Sequence, residues 1–518
     1  MKKILHILPH LGGGVGQVLG NIALESKRCS LFENEFILID SIGDESQINI
    51  NKYSLSVFSI DQIEHRIKKA DIVQLDWWNH PTMAKLLVNY HLPPCRIIVY
   101  AHISGIHYPN IIPRTIINFC DKFVASTKYT LENHSWIKES INNTLHGKVS
   151  SIHSCAGLSR IAHVQKKAHS NFNVGYIGSL DFTKLHPDYV AMSAAAHIPQ
   201  GQFIICGKGN DSEAIIHQIK QTNRASAFHL LGYVEDIAPI LSIYDVFGYP
   251  LNPLHYGTGE QVLIETQGAG IPAIVLNNGP ESVIIRHEYN GMVVNSAEEY
   301  SRCLEFLAGH PDLVDTLGEN ARNYSRKEFT LHNILRQFNE LYEEMIKSTP
   351  CKLHEPVRSV FQNPQGDFIY FLNSIEDNIQ YYIDSIDSHS IQATLIADKW
   401  IGHYNVDFTS SSKGTIFQYY KYFNNDSYLA FWCGLIMLEN KNYFNALSYF
   451  QAAKQRAFQH WRIDWYILIC SVMLDQVSNA SILSSDLWKR IQMFSKELSQ
   501  AFGASITNKI LRISYEFC

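Results

Sequence analysis

The sequence predicts an α/β protein with two doubly wound parallel-sheet domains in tandem, followed by an all-α C-terminal domain. Two observations support this prediction. Short apolar runs alternate with helical patterns through the first 347 residues, and strand patterns fade afterwards while aromatic residues recur at helical spacing. Alternating strands and helices are typical of parallel sheets that are covered on both faces. The predicted domains span residues 1–170, 171–347 and 348–518.

The composition supports a folded chain of several domains and excludes some classes of function. With 518 residues and 46% hydrophobic content, the chain can form two or three ordinary cores. The net charge is −6, so no basic excess indicates nucleic-acid binding. Histidine is frequent, with 24 copies, but no HExxH motif and no CxxC beside a histidine pair occurs. No metal site is therefore expected.

The cysteines and the apolar runs indicate a cytoplasmic protein. Ten cysteines are scattered singly from Cys29 to Cys518, which is typical of reduced thiols rather than a disulfide framework. The opening MKKILHILPHLGGG is interrupted by His6 and Pro9, so it is interpreted as a first strand rather than a signal peptide. The longest apolar run, Trp465–Leu474, is shorter than the roughly 18 residues of a membrane span. Any membrane contact is expected to be peripheral.

Strands and helices of the first domain follow from apolar runs and glycine turns. A strand at Lys3–Leu8, the glycine-rich turn Gly12–Gly14 and a helix at Val15–Ser26 open the domain. Further strands are predicted by their apolar runs at Glu35–Ile39, Asp71–Leu75, Arg96–Tyr100 and Lys122–Ser126. Ligands of such sheets bind at the carboxyl ends of the strands.

The second domain repeats the same alternation. Its predicted strands are Val174–Gly178, Gln202–Cys206, Phe228–Leu231, Val246–Tyr249 and Ala273–Leu276. Its predicted helices are Gln261–Gly270, Ala297–Leu307 and Leu331–Ile346. Two doubly wound domains joined near residue 170 follow from this order.

The C-terminal region has the spacing of a helical repeat in one place. Within Tyr428–Ala457, small and aromatic residues match one tetratricopeptide unit, namely Gly434, Tyr443, Ala446, Phe450 and Ala453. No clear second copy follows at 34 residues. A repeat-like domain and a plain helical bundle are both consistent with this pattern.

The segment VLIETQGAGIP places a carboxylate near the start of an apolar helix. Glu265 lies about one turn into the helix, and Gly270 and Pro272 end it. A glutamate there can accept two hydrogen bonds from a ribose diol, and the amides of the same helix N-terminus can face a phosphate. A solvated carboxylate on a helix face is the alternative.

Four blocks precede that helix in a regular order. In GYIGSLDFTKLHP, Gly178 lets the backbone approach a pyrophosphate and Lys184 offers it a mobile charge. FIICGKGN, a further strand and glycine turn, and LLGYVEDIAPILSIYDVFGYP follow. HYGTGEQ then leads into the Glu265 helix.

This ordered set resembles the family-4 type of retaining glycosyltransferases with the GT-B fold, in which two such domains face each other across a cleft. In the first domain, HILPHLGGGVGQVLGNIA is similar to the glycine-rich first loop of the family, and AHISG to its strand-end histidine segment. FVASTKYT and SIHSCAGLS match two further segments. The resemblance covers residues 1 to 347.

The resemblance implies roles for individual residues. Lys184 would neutralise the donor diphosphate, and Glu265 would bind the ribose. His102 would lie near the donor sugar and the acceptor as the candidate catalytic residue, while Gly13 and Gly14 let the first loop approach the reacting sugar. It also implies a nucleotide-diphosphate sugar as donor substrate, no cofactor and no metal, with retention of anomeric configuration.

The donor segment HYGTGE departs from the family. His255, Thr258, Gly259 and Glu260 are predicted donor-binding residues, but Gly257 stands where the family has the first of its two glutamates. Glu260 either substitutes for that glutamate or caps the helix. Ser179 replaces the usual arginine after the glycine strand, and Lys208 or His255 are the candidates to compensate for it.

Several functions remain open at this point. The leading hypothesis is sugar transfer to a glycan acceptor, such as a surface polysaccharide or lipopolysaccharide. A second is transfer to a surface or flagellar protein held by the helical domain, because repeat-like helices present concave surfaces to peptides. A catalytically degenerate GT-B scaffold, which Gly257 and Ser179 favour, and a sugar-nucleotide epimerase are the alternatives.

Overall fold

The structure is a computed structural model that describes residues 1–155, 157–357, 366–375, 378–388, 390–405, 412–474 and 485–503. Two compact units form within these ranges. The larger unit, here the α/β unit, comprises Met1–Trp78, His91–Ile112 and Ile116–Glu355. The helical unit comprises Asn79–Tyr90, Pro113–Thr115 and Pro356–Cys518. The sequence did not predict that residues 79–90 belong with the C-terminal helices.

The first half of the α/β unit is built on a seven-stranded parallel sheet in the order β3-β2-β1-β4-β6-β7-β8. The strands up to residue 151 are β1 Lys2–Leu8, β2 Phe32–Leu38, β3 Ser56–Phe58, β4 Ile72–Trp77, β5 Leu92–Cys95, β6 Ile97–Ala101, β7 Lys122–Ala125 and β8 Val149–Ser151. The α-helices up to residue 140 are α1 Gly13–Arg28, α2 Asp44–Tyr53, α3 Ile63–Ile67, α4 Pro81–Asn89, α5 Arg114–Phe119, α6 Lys128–Asn133 and α7 Ser135–Ser140, and of these α4 belongs to the helical unit. Every residue of β4 and β6 is buried, as expected for strands covered on both faces.

The second half of the α/β unit contains a six-stranded parallel sheet in the order β11-β10-β9-β12-β13-β14. Its strands are β9 Phe172–Ile177, β10 Gly201–Cys206, β11 Phe228–Gly232, β12 Val246–Tyr249, β13 Ala273–Leu276 and β14 Gly291–Val294. Its helices are α8 Tyr189–Ala195, α9 Ser212–Gln221, α10 Ala238–Leu241, α11 Gln261–Gly268, α12 Glu281–Ile284, α13 Ala297–Ala308 and α14 Pro311–Glu328. The strand order reverses between β9 and β12, and ligands of open sheets bind at such a point.

Helix α15, Leu331–Ser348, returns from the second half to the first. The Tyr342 hydroxyl donates to Gln74 Oε1 at 2.7 Å, and Lys2 Nζ lies 3.0 Å from Glu343 Oε1. Just after the helix, Arg96 Nε donates to the Thr349 carbonyl at 2.5 Å. Helix α15 thus braces the first half of the α/β unit.

Some elements escaped the sequence analysis. The short strands β3, β5, β8 and β14 and a strand β15 at Lys352–His354, which pairs antiparallel with β5, have too few residues to give a period. Helix α14 was also missed, because its mean hydropathy is low and only one face is buried. The predicted helix 261–270 ends earlier, at Gly268, and Gly270 adopts φ +86°. A left-handed glycine of this kind commonly ends a helix.

The helical unit is formed around buried aromatic residues. Its C-terminal helices are α16 Phe368–Leu372, α17 Ile379–Ile386, α18 Ile391–Tyr404, α19 Ile416–Tyr422, α20 Ser427–Glu439, α21 Tyr443–Gln455, α22 Arg462–Met473, α23 Ser485–Met493 and α24 Ser495–Phe502. Within the ranges that the structure describes, no helix combines the length and the hydropathy that a bilayer crossing requires. Cys518 lies outside these ranges.

A buried ion pair lies inside this unit. Arg462 Nε donates to Asp398 Oδ2 at 2.8 Å, and the Tyr466 hydroxyl donates to the same oxygen at 3.0 Å. Burial raises the pKa of Asp398 although Arg462 opposes it. The arginine and aspartate are almost completely buried, so each depends on the other for its charge to be tolerated.

Helices α20 and α21 pack closely at Gly434. A Cβ at this position would lie 2.5 Å from Phe450 Cε1, so the glycine allows the aromatic ring to pack against the α20 backbone. The predicted small and aromatic residues therefore meet across one helix pair. A repeat architecture stays a prediction.

Replacement Gly434→Leu should reduce the free energy of unfolding of the helical unit by about 2 kcal/mol, because Phe450 and the backbone must move apart. Thermal or urea unfolding followed by circular dichroism measures this loss. Ser448→Ala on the exposed side of α21 is the matched control and should unfold as wild type does. Equal stability of Gly434→Leu and the control would contradict the close packing.

Candidate functional site

Residues 255–260 form the last part of the segment that connects β12 to α11 at the carboxyl end of the second sheet. Glu260 is the residue before the helix, has φ +33° and makes no side-chain capping bond. A left-handed backbone at a non-glycine residue is unfavourable, and it persists only where other contacts compensate for it. At Glu260 those contacts are made by the side chain. The capping alternative for Glu260 is therefore not what the structure shows.

The Glu260 carboxylate is buried and bound by two side chains. Lys184 Nζ lies 3.0 Å from Oε2, and the Tyr249 hydroxyl donates to the same oxygen at 2.5 Å. Burial alone would raise the pKa of Glu260, but the Lys184 ammonium outweighs it and the pKa falls below its usual value. An ionised carboxylate thus holds the lysine that follows β9, across the switch point of the sheet.

The absence of a side chain at Gly257 makes room for this carboxylate. A Cβ at Gly257 would lie 2.0 Å from Glu260 Oε1, which no real structure tolerates. The Glu260 carboxylate therefore occupies the space in front of residue 257. The two positions cannot both carry a glutamate in this arrangement.

His255 is paired with a carboxylate that the sequence analysis did not consider. Its Nε2 lies 3.0 Å from Glu281 Oε2, and its Nδ1 accepts the Gly257 amide at 3.2 Å. Glu281 raises the pKa of His255 although burial opposes the shift. The Gly257 amide donates to Nδ1, so this nitrogen carries no hydrogen and Nε2 donates to Glu281. His255 is thus engaged by Glu281, whose second oxygen is buried without a partner among the described residues.

Glu265 lies on α11 and is 2% exposed. Both of its oxygens accept hydrogen bonds from the guanidinium of Arg160, which belongs to the 3₁₀ turn Ser159–Ile161. This bidentate pair uses one lone pair on each oxygen, so further acceptor positions remain on the carboxylate. Glu265 is therefore a buried carboxylate that is paired with an arginine, and not a solvated carboxylate on a helix face.

The donor segment contacts the first half of the α/β unit. A Cβ at Gly259 would lie 2.6 Å from the Ser154 carbonyl oxygen, so a glycine is required there, and the neighbouring Thr258 is buried. The Ser104 amide of the AHISG segment donates to the Tyr256 carbonyl at 3.0 Å. The structure thus brings AHISG and HYGTGE together.

His102 is buried at the end of β6 and bonded to a carboxylate on β4. Its Nε2 lies 3.0 Å from Asp76 Oδ1, and its Nδ1 is buried without a hydrogen-bond partner in the part of the chain that is described. Burial alone would raise the pKa of Asp76, but His6 and His102 lower it to about 2.

The predicted glycines occupy different surroundings. Gly13 adopts φ +59°, and both Gly13 and Gly14 are exposed with open space where a side chain would stand. The Gly13 amide donates to Glu45 Oε2 at 3.0 Å. At Gly178, a Cβ would lie 2.7 Å from the Tyr176 hydroxyl oxygen, so this glycine keeps the turn after β9 narrow.

The remaining candidates lie near the ends of strands, outside the donor segment 255–260. Ser179 and Lys208 are exposed on the turns after β9 and β10. Trp77 and Trp78, at the end of β4 and just after it, are 3% and 7% exposed, so their rings are packed inside the protein. Across the described residues, no group of three or more metal-ligating side chains occurs.

Residues 160–324 match the family model for glycosyl transferases group 1. The chain is 25% identical over 262 residues to the 2-deoxystreptamine N-acetyl-D-glucosaminyltransferase of Niallia circulans, covering 46% of this chain and 62% of that protein. It is 26% identical over 152 residues to the UDP-Gal:alpha-D-GlcNAc-diphosphoundecaprenol alpha-1,3-galactosyltransferase of Escherichia coli, covering 29% and 38%. The chain spans less than two thirds of the length of these curated relatives.

Solved structures agree over the α/β unit. Anabaena HepE in complex with UDP and glucose superposes with a TM-score of 0.52 at 15% identity, over 66% of this chain and 100% of that one. The pneumococcal O-GlcNAc transferase GtfA in complex with UDP and GlcNAc gives 0.52 at 13% identity, over 67% and 99%. The fold is GT-B. The fold class predicted from the sequence is confirmed.

Three partners in the GT-B cleft were missed by the sequence analysis. Arg160 binds Glu265, Glu281 binds His255, and Asp76 binds His102. Only Asp76 left a signal, because it is a charged residue inside the mainly apolar and wholly buried strand β4. Arg160 lies in a 3₁₀ turn and Glu281 begins the four-residue helix α12, and neither segment is long enough to show a periodic pattern.

Removal of Arg160 should destabilise the α/β unit, because Glu265 would remain as a buried carboxylate without its cation. Arg160→Ala should cost about 2 kcal/mol of unfolding free energy, less than for a fully buried pair since Arg160 is partly exposed. Urea unfolding measures the loss. Arg336→Ala, which breaks the exposed pair with Glu340 at 2.9 Å, is the matched control and should cost less than about 1 kcal/mol. Equal effects of the two variants would contradict the buried pairing.

Proposed function

We propose that this protein is a glycosyltransferase that moves a sugar from a nucleotide-diphosphate donor to an acceptor in the cleft of its GT-B unit. The observation that carries the proposal is the convergence of Lys184 and Glu260 at the switch point of the second sheet, with Glu265 one helical turn further on. A cation, a helix N-terminus and a buried carboxylate are the groups that a diphosphate and its ribose require. The names of the relatives support the same reaction.

Lys184 serves the leaving group in this proposal. The Lys184 side chain is one-third exposed, and its ammonium is held by Glu260, so a diphosphate can reach it from the cleft. A nucleoside diphosphate leaves readily once its developing charge is met, and a placed cation does this without reorganisation. His255 is bound to Glu281. Lys208 is therefore the better candidate for the positive charge that is missing where Ser179 stands in place of an arginine.

Glu265 serves the ribose. The hydroxyl groups of a ribose diol can use the acceptor positions that Arg160 leaves on the two oxygens. Arg160 would then keep the carboxylate ionised and fixed while the nucleoside binds.

Glu260 serves the transferred sugar in this proposal. Its carboxylate fills the space before Gly257, next to Lys184, where the sugar follows the diphosphate. Sugar hydroxyls donate well to an ionised carboxylate. His102, Gly13 and Gly14 then belong to the opposite wall, in the first half of the unit.

A glycan is the proposed acceptor, with transfer that retains the anomeric configuration and needs no metal ion. Lys184 would carry the charge that a metal carries elsewhere. Transfer to a protein is the second candidate, and the close α20–α21 packing at Gly434 is the observation that favours it, because such pairs build peptide-binding surfaces. A catalytically silent scaffold and an epimerase are outcomes of the tests below.

Incubation of the purified protein with a panel of nucleotide sugars should give donor hydrolysis or transfer that persists in EDTA. Lys184→Ala should lower kcat/KM by about 100-fold, since one charge at the leaving group is lost. Glu265→Gln should mainly weaken nucleoside-diphosphate binding, measured by calorimetry. Lys220→Ala, on the exposed face of α9, is the control. Interconversion of the free donor would indicate an epimerase, and absence of donor binding would contradict every enzymatic hypothesis.

Exchange of the two positions in the donor segment tests the role of Glu260. Gly257→Glu alone should lower kcat/KM by about tenfold or more, because its side chain collides with the Glu260 carboxylate. Adding Glu260→Gly removes the collision and relieves the left-handed backbone, so the double variant should recover most of the activity. Product formation with the preferred donor is the measurement. A double variant no better than Gly257→Glu alone would contradict the assignment.

A further inference from the structure

A cluster of three side chains lies at the switch point of the first sheet, between β1 and β4. His6 Nδ1 lies 2.7 Å from Asp76 Oδ2, and His102 Nε2 lies 3.0 Å from the other oxygen of the same carboxylate. All three residues are buried. One aspartate therefore binds two histidines, of which only His102 has a proposed role in the reaction.

The hydrogen bonds around His6 fix its protonation. The Ser26 hydroxyl donates to the Ala23 carbonyl, so it accepts from Asn34 Nδ2 at 2.8 Å. In this orientation of the Asn34 amide, its Oδ1 faces His6 Nε2 at 2.8 Å, and the nitrogen donates to it. Because Nδ1 also donates to an ionised carboxylate, His6 carries hydrogen on both nitrogens and is a cation.

The remaining oxygen of Asp76 orients His102. Gln74 Nε2 donates to Oδ1 at 3.0 Å, and its own Oε1 accepts from the Tyr342 hydroxyl of α15 at 2.7 Å. Asp76 thereby stays in place, and the hydrogen of His102 must be on Nε2. The unpartnered Nδ1 of His102 is then a lone-pair acceptor.

The charges of this cluster keep His102 neutral. The cation of His6 and the anion of Asp76 cancel, so no net negative charge faces His102 from β1 or β4. Tyr100, whose ring lies 4.6 Å from that of His102, and Tyr342 are the other titratable groups packed here, and burial raises the pKa of both. Cys155 behaves in the same way, with burial raising its pKa to about 12. These groups stay uncharged at neutral pH.

We propose that His6 is a positioning residue: its cation neutralises Asp76, so that Asp76 holds His102 as the neutral Nε2–H tautomer, whose Nδ1 accepts a hydrogen bond from a substrate hydroxyl. This inference rests on the proposed transferase function for the role of His102. The charge arrangement itself is a property of the free protein.

Nuclear magnetic resonance of wild-type protein carrying ¹³C,¹⁵N-labelled histidine tests the arrangement without any substitution. His6 is assigned through its stacking on Phe36 at 4.8 Å, and His102 through loss of its signal in His102→Gln. At pH 7, His6 should be doubly protonated and His102 should be the neutral Nε2–H form. A doubly protonated His102, a neutral His6, or a His102 with hydrogen on Nδ1 would overturn the proposal.

The variant His6→Asn tests the neutralising role. It keeps a donor for Asp76 but removes the cation, so the uncompensated carboxylate should favour protonation of His102. The acid limb of the activity profile, and the pH at which the His102 signal changes, should both move up by about 1 pH unit. His354→Asn is the matched control, because His354 is another buried histidine beside an aspartate, with its Nε2 3.3 Å from Asp121 Oδ2.

The outcomes separate this inference from the proposed function. If wild-type protein transfers sugar but neither the acid limb nor the His102 signal moves in a folded His6→Asn variant, the role of His6 is wrong and the function stands. If no donor is used by wild-type protein, the function is wrong, and the signals of His6 and His102 still decide the charge arrangement. Should His6→Asn fail to fold, the wild-type signals alone decide.

Stepwise addition of substrates tests the acceptor role of His102 Nδ1. Nucleoside diphosphate, then nucleotide sugar and then acceptor are added, and the Nδ1 resonance shows which of them binds it. Absence of a shift with all three would overturn the acceptor role.

Discussion

Four carboxylates are buried around the cleft of the α/β unit, and the arrangement of the candidate site follows from the need to give each of them a donor or a cation. Asp76 binds two histidines, Glu260 binds a lysine and a tyrosine, Glu265 binds an arginine and Glu281 binds a histidine. A carboxylate that loses its partner in such surroundings costs several kcal/mol. The partners therefore have fixed positions, and those positions define where a substrate can bind.

These pairs also connect parts of the chain that are far apart in sequence. Arg160 from the linker reaches α11, and Lys184 after β9 reaches the residue before α11. In the first half of the unit, Tyr342 of α15 reaches Asp76 through Gln74. The brace helix thus contributes to the order of the cleft as well as to the packing of the first domain.

Close approach of backbone is the second constraint. Gly257 leaves room for the Glu260 carboxylate, and Gly259 allows the donor segment to lie against Ser154. A carboxylate in this position depends on the missing side chain at residue 257 and on the left-handed backbone at Glu260. Residue 257 has no side chain where the resemblance predicts a glutamate, and Glu260 places a carboxylate near Lys184.

The sequence by itself determined the two parallel-sheet domains, the position of the donor segment and the helix α15, because period, glycine turns and segment order are local properties of the chain. It also named Lys184, Glu260, Glu265 and His102 as candidates. Only the tertiary structure decided which groups they face, because Arg160, Glu281, Asp76 and His6 are distant in sequence from their partners, and a single charged residue has no periodic signal. The grouping of residues 79–90 with the C-terminal helices was likewise invisible, since a helix pattern shows an apolar face but not the partner that covers it.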